Sequence, residues 1–475
     1  MPTTANPIVR PDVANLPKTS ALRLYDPAAQ GNSFALDGFP ALKAGATDWV
    51  SRLIELIEQQ GAVSMTTNQP IFRQLVETGA LDDRLRGFKA QGRSAAEIYQ
   101  IVYNEAAMTA AQVFSEIHAR WPWDGRVSQE ASALITELDP LVREVQRIAK
   151  LMQGVGAFTK IPNLPVGPQA IQKALAGFGD CPHSGTVPVL HPNITLVFSD
   201  RHYLNTVEGY LTGLQARGGD ISRIYSVNSL FVSRVDRVVD PMIDEALRQA
   251  QDERRERLRL LKGKVAVAQA KKVAQLFRVI FLGAPFEDPE GIYADAEGSR
   301  MKEQIKRLQC LYAGLKARGA HPQRLLIASS GVKSDQSYSA LLYVLPFLGP
   351  WSANTMPEGT LTALSQFVAT LSDERAAALK KRDIMGEPLP AIPTDPKPTS
   401  VWDEAILMTA AERRAKGIGE VTPDEILQET SDLVLKPNRT TLRTLCDTLR
   451  DKGAASFATD EQATLQAIKT KLQAL

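Results

Sequence analysis

A lysine stands in the middle of an apolar run of strand length, Ala157-Phe158-Thr159-Lys160-Ile161-Pro162, which a proline ends. Strand side chains alternate, so Phe158, Lys160 and Pro162 share one face, and Ala157, Thr159 and Ile161 the other. An ammonium is costly to bury, and burial favours the free amine, which is a nucleophile toward carbonyls. Taken alone, the hexapeptide also fits an edge strand whose lysine reaches out to water. Other short strand-like runs end in or beside polar groups: Asp37, Asn68, Glu130, Thr195, Ser229 and Arg234. An amine, two carboxylates and neutral hydrogen-bonding groups gathered in one mouth suit Schiff-base chemistry. The lysine becomes an iminium that draws electrons from a neighbouring C–C bond, while the carboxylates move protons on and off hydroxyls.

Such a gathering needs a scaffold that brings strand ends together. Strands are expected at 33–38, 62–68, 126–130, 157–162, 193–198, 225–234, 324–330 and 352–357. Helical spacing lies between them, as in Trp49-Val50-Ser51-Arg52-Leu53-Ile54-Glu55-Leu56-Ile57, and in long stretches near 70–118 and 241–277. Eight strands alternating with helices over about 340 residues is the pattern of an α/β (β/α)8 TIM barrel, whose chemistry sits at the C-terminal strand ends. The rival, a doubly wound open sheet, lacks its Gly-rich phosphate turn after the first strand. The expected organisation is a tail at 1–31, the barrel at 32–387, a proline-rich linker at 388–400 and a helical region at 401–475. Thr422-Pro423-Asp424-Glu425 and Thr459-Asp460-Glu461-Gln462 in that last region both have capping-box form. A loop-like acidic insertion is expected around 285–298.

The 475 residues carry a formal net charge of +2, which points to neither nucleic acid nor an anionic membrane. No run is apolar enough to span a bilayer, and the first thirty residues, polar and proline-bearing, are without the charged start and apolar run expected of a signal peptide. Three scattered cysteines, Cys181, Cys310 and Cys446, fit a reducing compartment, so a cytoplasmic location is expected. Cys181, His183, His191 and His202 invite a zinc reading, but a strand's length separates the first pair from His202, and no metal site is expected. The basic stretch Arg254 to Lys264 is interleaved with Asp252, Glu253 and Glu256, which reads as a solvated face.

Seven segments, in order along the chain, resemble the transaldolases: Phe34-Ala35-Leu36-Asp37, Thr66-Thr67-Asn68, Val127-Ser128-Gln129-Glu130, Lys160-Ile161-Pro162, Asn193 to Ser199, Ser229 to Asp236, and Asn354-Thr355-Met356-Pro357. The resemblance covers roughly residues 30–370. It implies that Lys160 forms the Schiff base, that Glu130 works through a water with Thr195 in making and hydrolysing the carbinolamine, and that Asp37 takes the C4 hydroxyl proton. It implies that Asn68 and Ser229 hold the three-carbon unit, with Asn193 and Phe231 also in the substrate site, and that Arg234 binds phosphate, with Lys333 beside it. The activity implied is transfer of a dihydroxyacetone unit between sugar phosphates, with no cofactor, because the iminium is itself the electron sink. The chain departs from its relatives at Asn163-Leu164, where they read Ala-Thr, and at Thr66-Thr67-Asn68-Gln69-Pro70, where they read Thr-Ser-Asn-Pro. The other readings carried forward are a lyase-type aldolase that releases free dihydroxyacetone and a non-catalytic barrel scaffold that binds partners.

Overall fold

The computed structural model describes residues 11, 20–40, 48–67, 69–79, 81–177, 189–217, 219–333, 336–394 and 400–475. Eight parallel strands close into a barrel in chain order: β1 (Ser33–Asp37), β2 (Ser64–Thr66), β3 (Val127–Glu130), β4 (Ala157–Pro162), β5 (Pro192–Val197), β6 (Ser226–Phe231), β7 (Gln323–Ala328) and β8 (Ser352–Met356). The expected TIM barrel is therefore the observed fold. The β1–β8 pairing, from Ser33 opposite Ala353 to Leu36 opposite Met356, closes the ring.

The alternation expected for β4 holds. Phe158 packs inside the barrel with Val227, Leu326 and Ala353, an apolar floor, while Ala157 and Ile161 join the layer between strands and helices. Lys160, two residues beyond Phe158, thus points inward above that floor. Helix Trp49–Gln60 shows the same logic outside the barrel. Its spaced Leu53, Leu56 and Ile57 are buried, Asp48 caps its start by accepting from the Ser51 N–H, and Gly61 ends it at φ +79°, where glycine avoids a Cβ clash.

Helix boundaries differ from the expected ones. The 70–118 stretch is four helices, Gln69–Glu77, Asp82–Ala90, Ala95–Val113 and Ser115–Arg120. The 241–277 stretch is also divided: Ser233–Gln249 carries Pro241 within it, and Asp252–Leu261 and Val265–Phe277 follow. β6 stops at Phe231, so Arg234 belongs to the first turn of the next helix rather than to the strand. Of the two capping-box candidates, Thr422 does form the box with Glu425, whereas Thr459 lies inside the 33-residue helix Leu442–Ala474 and donates to the Ala455 carbonyl instead. Leu389–Pro390, in the proline-bearing stretch, pairs antiparallel with Glu420–Val421.

The N-terminal end of the barrel is tied by a buried ion pair. The Arg324 guanidinium donates to Asp124 Oδ1 at 3.1 Å, to the Ser352 carbonyl at 2.8 Å and to Ser33 Oγ. Asp124 Oδ2 accepts from Tyr25 Oη at 2.7 Å and Ser33 Oγ at 2.8 Å. β1, β7, β8 and the segment entering β3 thereby share one charge pair that is almost fully enclosed. Asp124→Ala is expected to cost about 3–5 kcal/mol, since it leaves a buried guanidinium without its counter-charge. Urea denaturation of variant and parent checks this.

Candidate active site

Strand register builds the site. Glu130 lies opposite Lys160 across β3–β4, Lys160 opposite Asn193 across β4–β5, and Pro162 opposite Thr195. With the pleat turning both inward, Lys160 Nζ stands 3.1 Å from Glu130 Oε1 and donates to the Thr67 carbonyl at 3.3 Å. Their side chains are 6% and 4% exposed, so this pair is enclosed and not a surface bridge. The edge-strand reading of Lys160 is excluded. Burial pushes the Glu130 carboxyl above its usual range, with Asp37 and Asp460 pushing the same way and Lys160 pulling back.

A cavity of about 150 Å³ opens above the pair. Asp37, Glu130, Lys160, Thr195, Ser229, Phe231, Arg234 and Lys333 all line it, so eight of the ten expected site residues meet in one place. Asp37 accepts from Thr66 Oγ1 at 3.1 Å, and Thr66 is in turn bonded to Thr355 at 3.0 Å. Thr195 Oγ1 is buried and has no hydrogen-bond partner among the described residues. Asn193 does not line the cavity. Its Nδ2 donates to Ser128 Oγ at 2.9 Å and its Oδ1 accepts from Ser229 Oγ at 2.6 Å, which fixes the Ser229 side chain. Asn68 lies outside the described residues. Arg234 packs its guanidinium over the Phe231 ring, 5.1 Å from the centroid, and not against Asp236. Asp236 is buried elsewhere, accepting from the Ala266 N–H and Tyr343 Oη. Burial pushes the Arg234 guanidinium down, while Asp37 and Asp460 hold it up.

Directly after Thr195, the β5–β6 register slips between Ile194 and Val197, and Leu196 takes φ +63°. A branched side chain is strained there, and bulges of this kind are common beside active sites, where they re-aim a strand.

The strand ends alone did not disclose one wall of the cavity. Helix Leu442–Ala474 crosses the mouth and contributes Ser456, Phe457 and Asp460. Its Glu461 accepts from Ser132 Oγ at 2.8 Å and from the Ala133 N–H at 3.0 Å, just past β3. At its other end, Cys446 Sγ donates to the Phe198 carbonyl at 3.3 Å, and Asp447 meets His202 Nε2 at 2.8 Å and Arg201. The available signal was a helical stripe, Gly453, Phe457, Glu461, Thr464 and Ile468, which names a buried face but not what it covers.

Among the described residues no cluster of His, Cys, Asp and Glu could hold a metal. Cys181 and His183 lie outside the described residues, His191 Nδ1 accepts from the Tyr225 N–H, and His202 is engaged by Asp447. No helix among the described residues is long and apolar enough to cross a membrane.

Comparison with known proteins bears on most of the barrel. The family model for transaldolase/fructose-6-phosphate aldolase matches residues 46–389. The chain belongs to this family. It is 31% identical over 335 residues to transaldolase 2 of Streptomyces coelicolor, a match covering 69% of this chain and 78% of that one. It is 30% identical over 388 residues to a transaldolase of Mycobacterium bovis, covering 80% and 89%, and 30% identical over 319 residues to a transaldolase of Trichodesmium erythraeum, covering 66% and 74%. The family match ends at residue 389, so the helix over the mouth lies beyond it.

The seat of that helix is expected to depend on pH. Burial pushes the His202 imidazole below its usual range. Arg450 and Arg201 add to that effect, and Asp447 opposes it. A depressed folded value contributes stability fully above about pH 6.5, the ordinary histidine value, and loses it as pH falls through the folded value. Limited proteolysis of Leu442–Ala474 is therefore expected to speed up between pH 7.5 and 5, and His202→Asn is expected to flatten that part of the profile. Equal cleavage across this range in the parent protein would show that the histidine does not govern the seat.

Proposed function

We propose that this chain is a transaldolase. It would take a dihydroxyacetone unit from a ketose phosphate, such as sedoheptulose 7-phosphate or fructose 6-phosphate, and give it to an aldose phosphate, as in pentose phosphate metabolism in the cytoplasm. The observation that carries the reading is the enclosed Lys160–Glu130 pair at 3.1 Å, set at the mouth of the barrel among hydroxyls and a guanidinium.

In this reading Lys160 attacks the ketose C2 as the free amine, its proton having passed to Glu130. The raised affinity of Glu130 for a proton suits that task. The carbinolamine loses its hydroxyl as water, with Glu130 supplying the proton and Thr195 Oγ1 holding the water. Asp37 then takes the proton of the C4 hydroxyl, the C3–C4 bond breaks, and its electron pair flows into the iminium to leave an enamine on Lys160. The aldose phosphate departs. An acceptor aldehyde takes the enamine carbon, its oxygen regains the proton from Asp37, and water releases the new ketose. Ser229, steadied by Asn193, and Asn68 hold the three-carbon unit, Phe231 shapes the wall beside it, and Arg234 with Lys333 takes the phosphate. A planar guanidinium fork suits that group.

A lyase-type aldolase is the second reading, and one observation favours it. Asp460 brings a carboxyl to the cavity, and an acid near the enamine would allow free dihydroxyacetone to leave.

Borohydride with fructose 6-phosphate is expected to fix a reduced three-carbon unit on Lys160, located by mass spectrometry, and Lys160→Ala is expected to abolish both label and turnover. Label on another lysine, or none with several ketose phosphates, would sink the mechanism. Glu130→Gln is expected to slow trapping and turnover alike by roughly 10²–10⁴, whereas Asp37→Asn should trap donor readily and cleave it slowly. Arg234→Ala should raise KM for phosphorylated sugars far more than for unphosphorylated ones. An unchanged ratio of the two would move phosphate binding away from Arg234.

A further inference from the structure

The centroid of the Phe457 ring lies 5.1 Å from Lys160 Nζ. No other aromatic side chain among the described residues makes a cation–π contact with this lysine. Ring and lysine line the same cavity, so Phe457 is a wall of the site and not its filling.

The ring is held there by its own helix. Gly453, Phe457 and Glu461 follow at four-residue intervals and so share one face of Leu442–Ala474. Gly453 allows close approach: a Cβ there would come within 2.8 Å of Leu196 Cδ2 and 3.1 Å of Arg234 Nη1. One turn beyond Phe457, Glu461 is fixed by Ser132 Oγ and the Ala133 N–H. Further out, Lys471 reaches Asp82 at 3.2 Å. Anchors on both sides of Phe457 set the depth and direction of its ring.

We propose that Phe457 is a further residue of the reaction site, an apolar cover over the Lys160 nitrogen that retains the three-carbon unit between donor and acceptor. The inference rests on the transaldolase reading. Loss of the unit without an acceptor requires two steps. The enamine carbon must first take a proton, giving the iminium. Water must then add to the iminium carbon and give up a proton, after which the C–N bond breaks to leave dihydroxyacetone and the Lys160 amine. A hydrocarbon ring against the nitrogen keeps water from this side of the adduct. Its face is also attracted to the cationic nitrogen, both as ammonium and as iminium. The enamine that waits for an acceptor is therefore sheltered by a residue far outside the matched family segment.

The test uses the full chain with Phe457→Ala and Phe457→Leu. Dihydroxyacetone release from fructose 6-phosphate alone is compared with transfer to erythrose 4-phosphate, and the borohydride-trapped fraction of Lys160 is read in parallel. Thermal melting confirms that each variant is folded. Phe457→Ala is expected to raise the ratio of release to transfer at least tenfold and to lower the trapped fraction, while Phe457→Leu, which restores apolar bulk, stays within about threefold of the parent. A merely structural role would lower release and transfer together and leave their ratio alone. A parent-like ratio in folded Phe457→Ala, or a Phe457→Leu as leaky as the alanine variant, would overturn the proposal. Absence of any Lys160 adduct in the parent with several ketose phosphates would instead remove the transaldolase reading beneath it.

Discussion

Two opposite charges 3.1 Å apart inside a barrel set the terms for everything around them. Removing an ammonium and a carboxylate from water costs several kcal/mol per ion, and their mutual attraction seldom returns a surplus. The Lys160–Glu130 pair is therefore weak as a device for stability. It persists because the scaffold is stable for other reasons: a closed parallel sheet, an apolar floor of Phe158, Val227, Leu326 and Ala353, and the Arg324–Asp124 tie at the opposite end. A core that could have been aliphatic throughout instead sets a lysine nitrogen against a carboxyl. That geometry fits the Schiff-base chemistry proposed for Lys160.

The two ends of the barrel use the same interaction for different purposes. At the N-terminal end, Arg324 and Asp124 are surrounded by fixed partners, Ser33, Tyr25 and the Ser352 carbonyl, so the charges are held in place. At the C-terminal end, Lys160 and Glu130 face a cavity with a buried Thr195 hydroxyl that has no partner among the described residues. One pair is locked by its surroundings and the other borders an opening. That contrast is what separates a structural ion pair from a candidate catalytic one here.

Much of this was legible in the chain because strand register is a local property. Alternation put Phe158 and Lys160 on one face, and each strand ended near where polar residues begin, so Asp37, Glu130, Thr195 and Ser229 could be grouped before any coordinates. Arg234 was assigned to a strand because Leu230-Phe231-Val232 continues an apolar run; the chain turns into a helix there because Ser233 starts one, and the residue still reaches the cavity. In the alanine-rich 70–118 stretch only Gln91-Gly92-Arg93-Ser94 carries turn chemistry in the sequence, and a helix does end and another begin there, whereas packing around a cylinder demands further breaks such as the one at Gly79. Phe457 and Asp460 could not be seen at all. Their role depends on which surface a helical stripe covers, and period alone does not encode its partner.

The bonds that seat the last helix join residues very far apart in sequence, as with Ser132 and Glu461, which are 329 positions apart. Loop-closure entropy makes such contacts slow to form relative to neighbouring βα pairings. The β3–β4 pairing that brings Lys160 beside Glu130 joins neighbouring strands, so it can form before anything roofs the mouth. Until the last helix docks, the Lys160 side chain would stand open to water. Docking of that helix is then the step that encloses the lysine, so completion of the fold and completion of the site coincide.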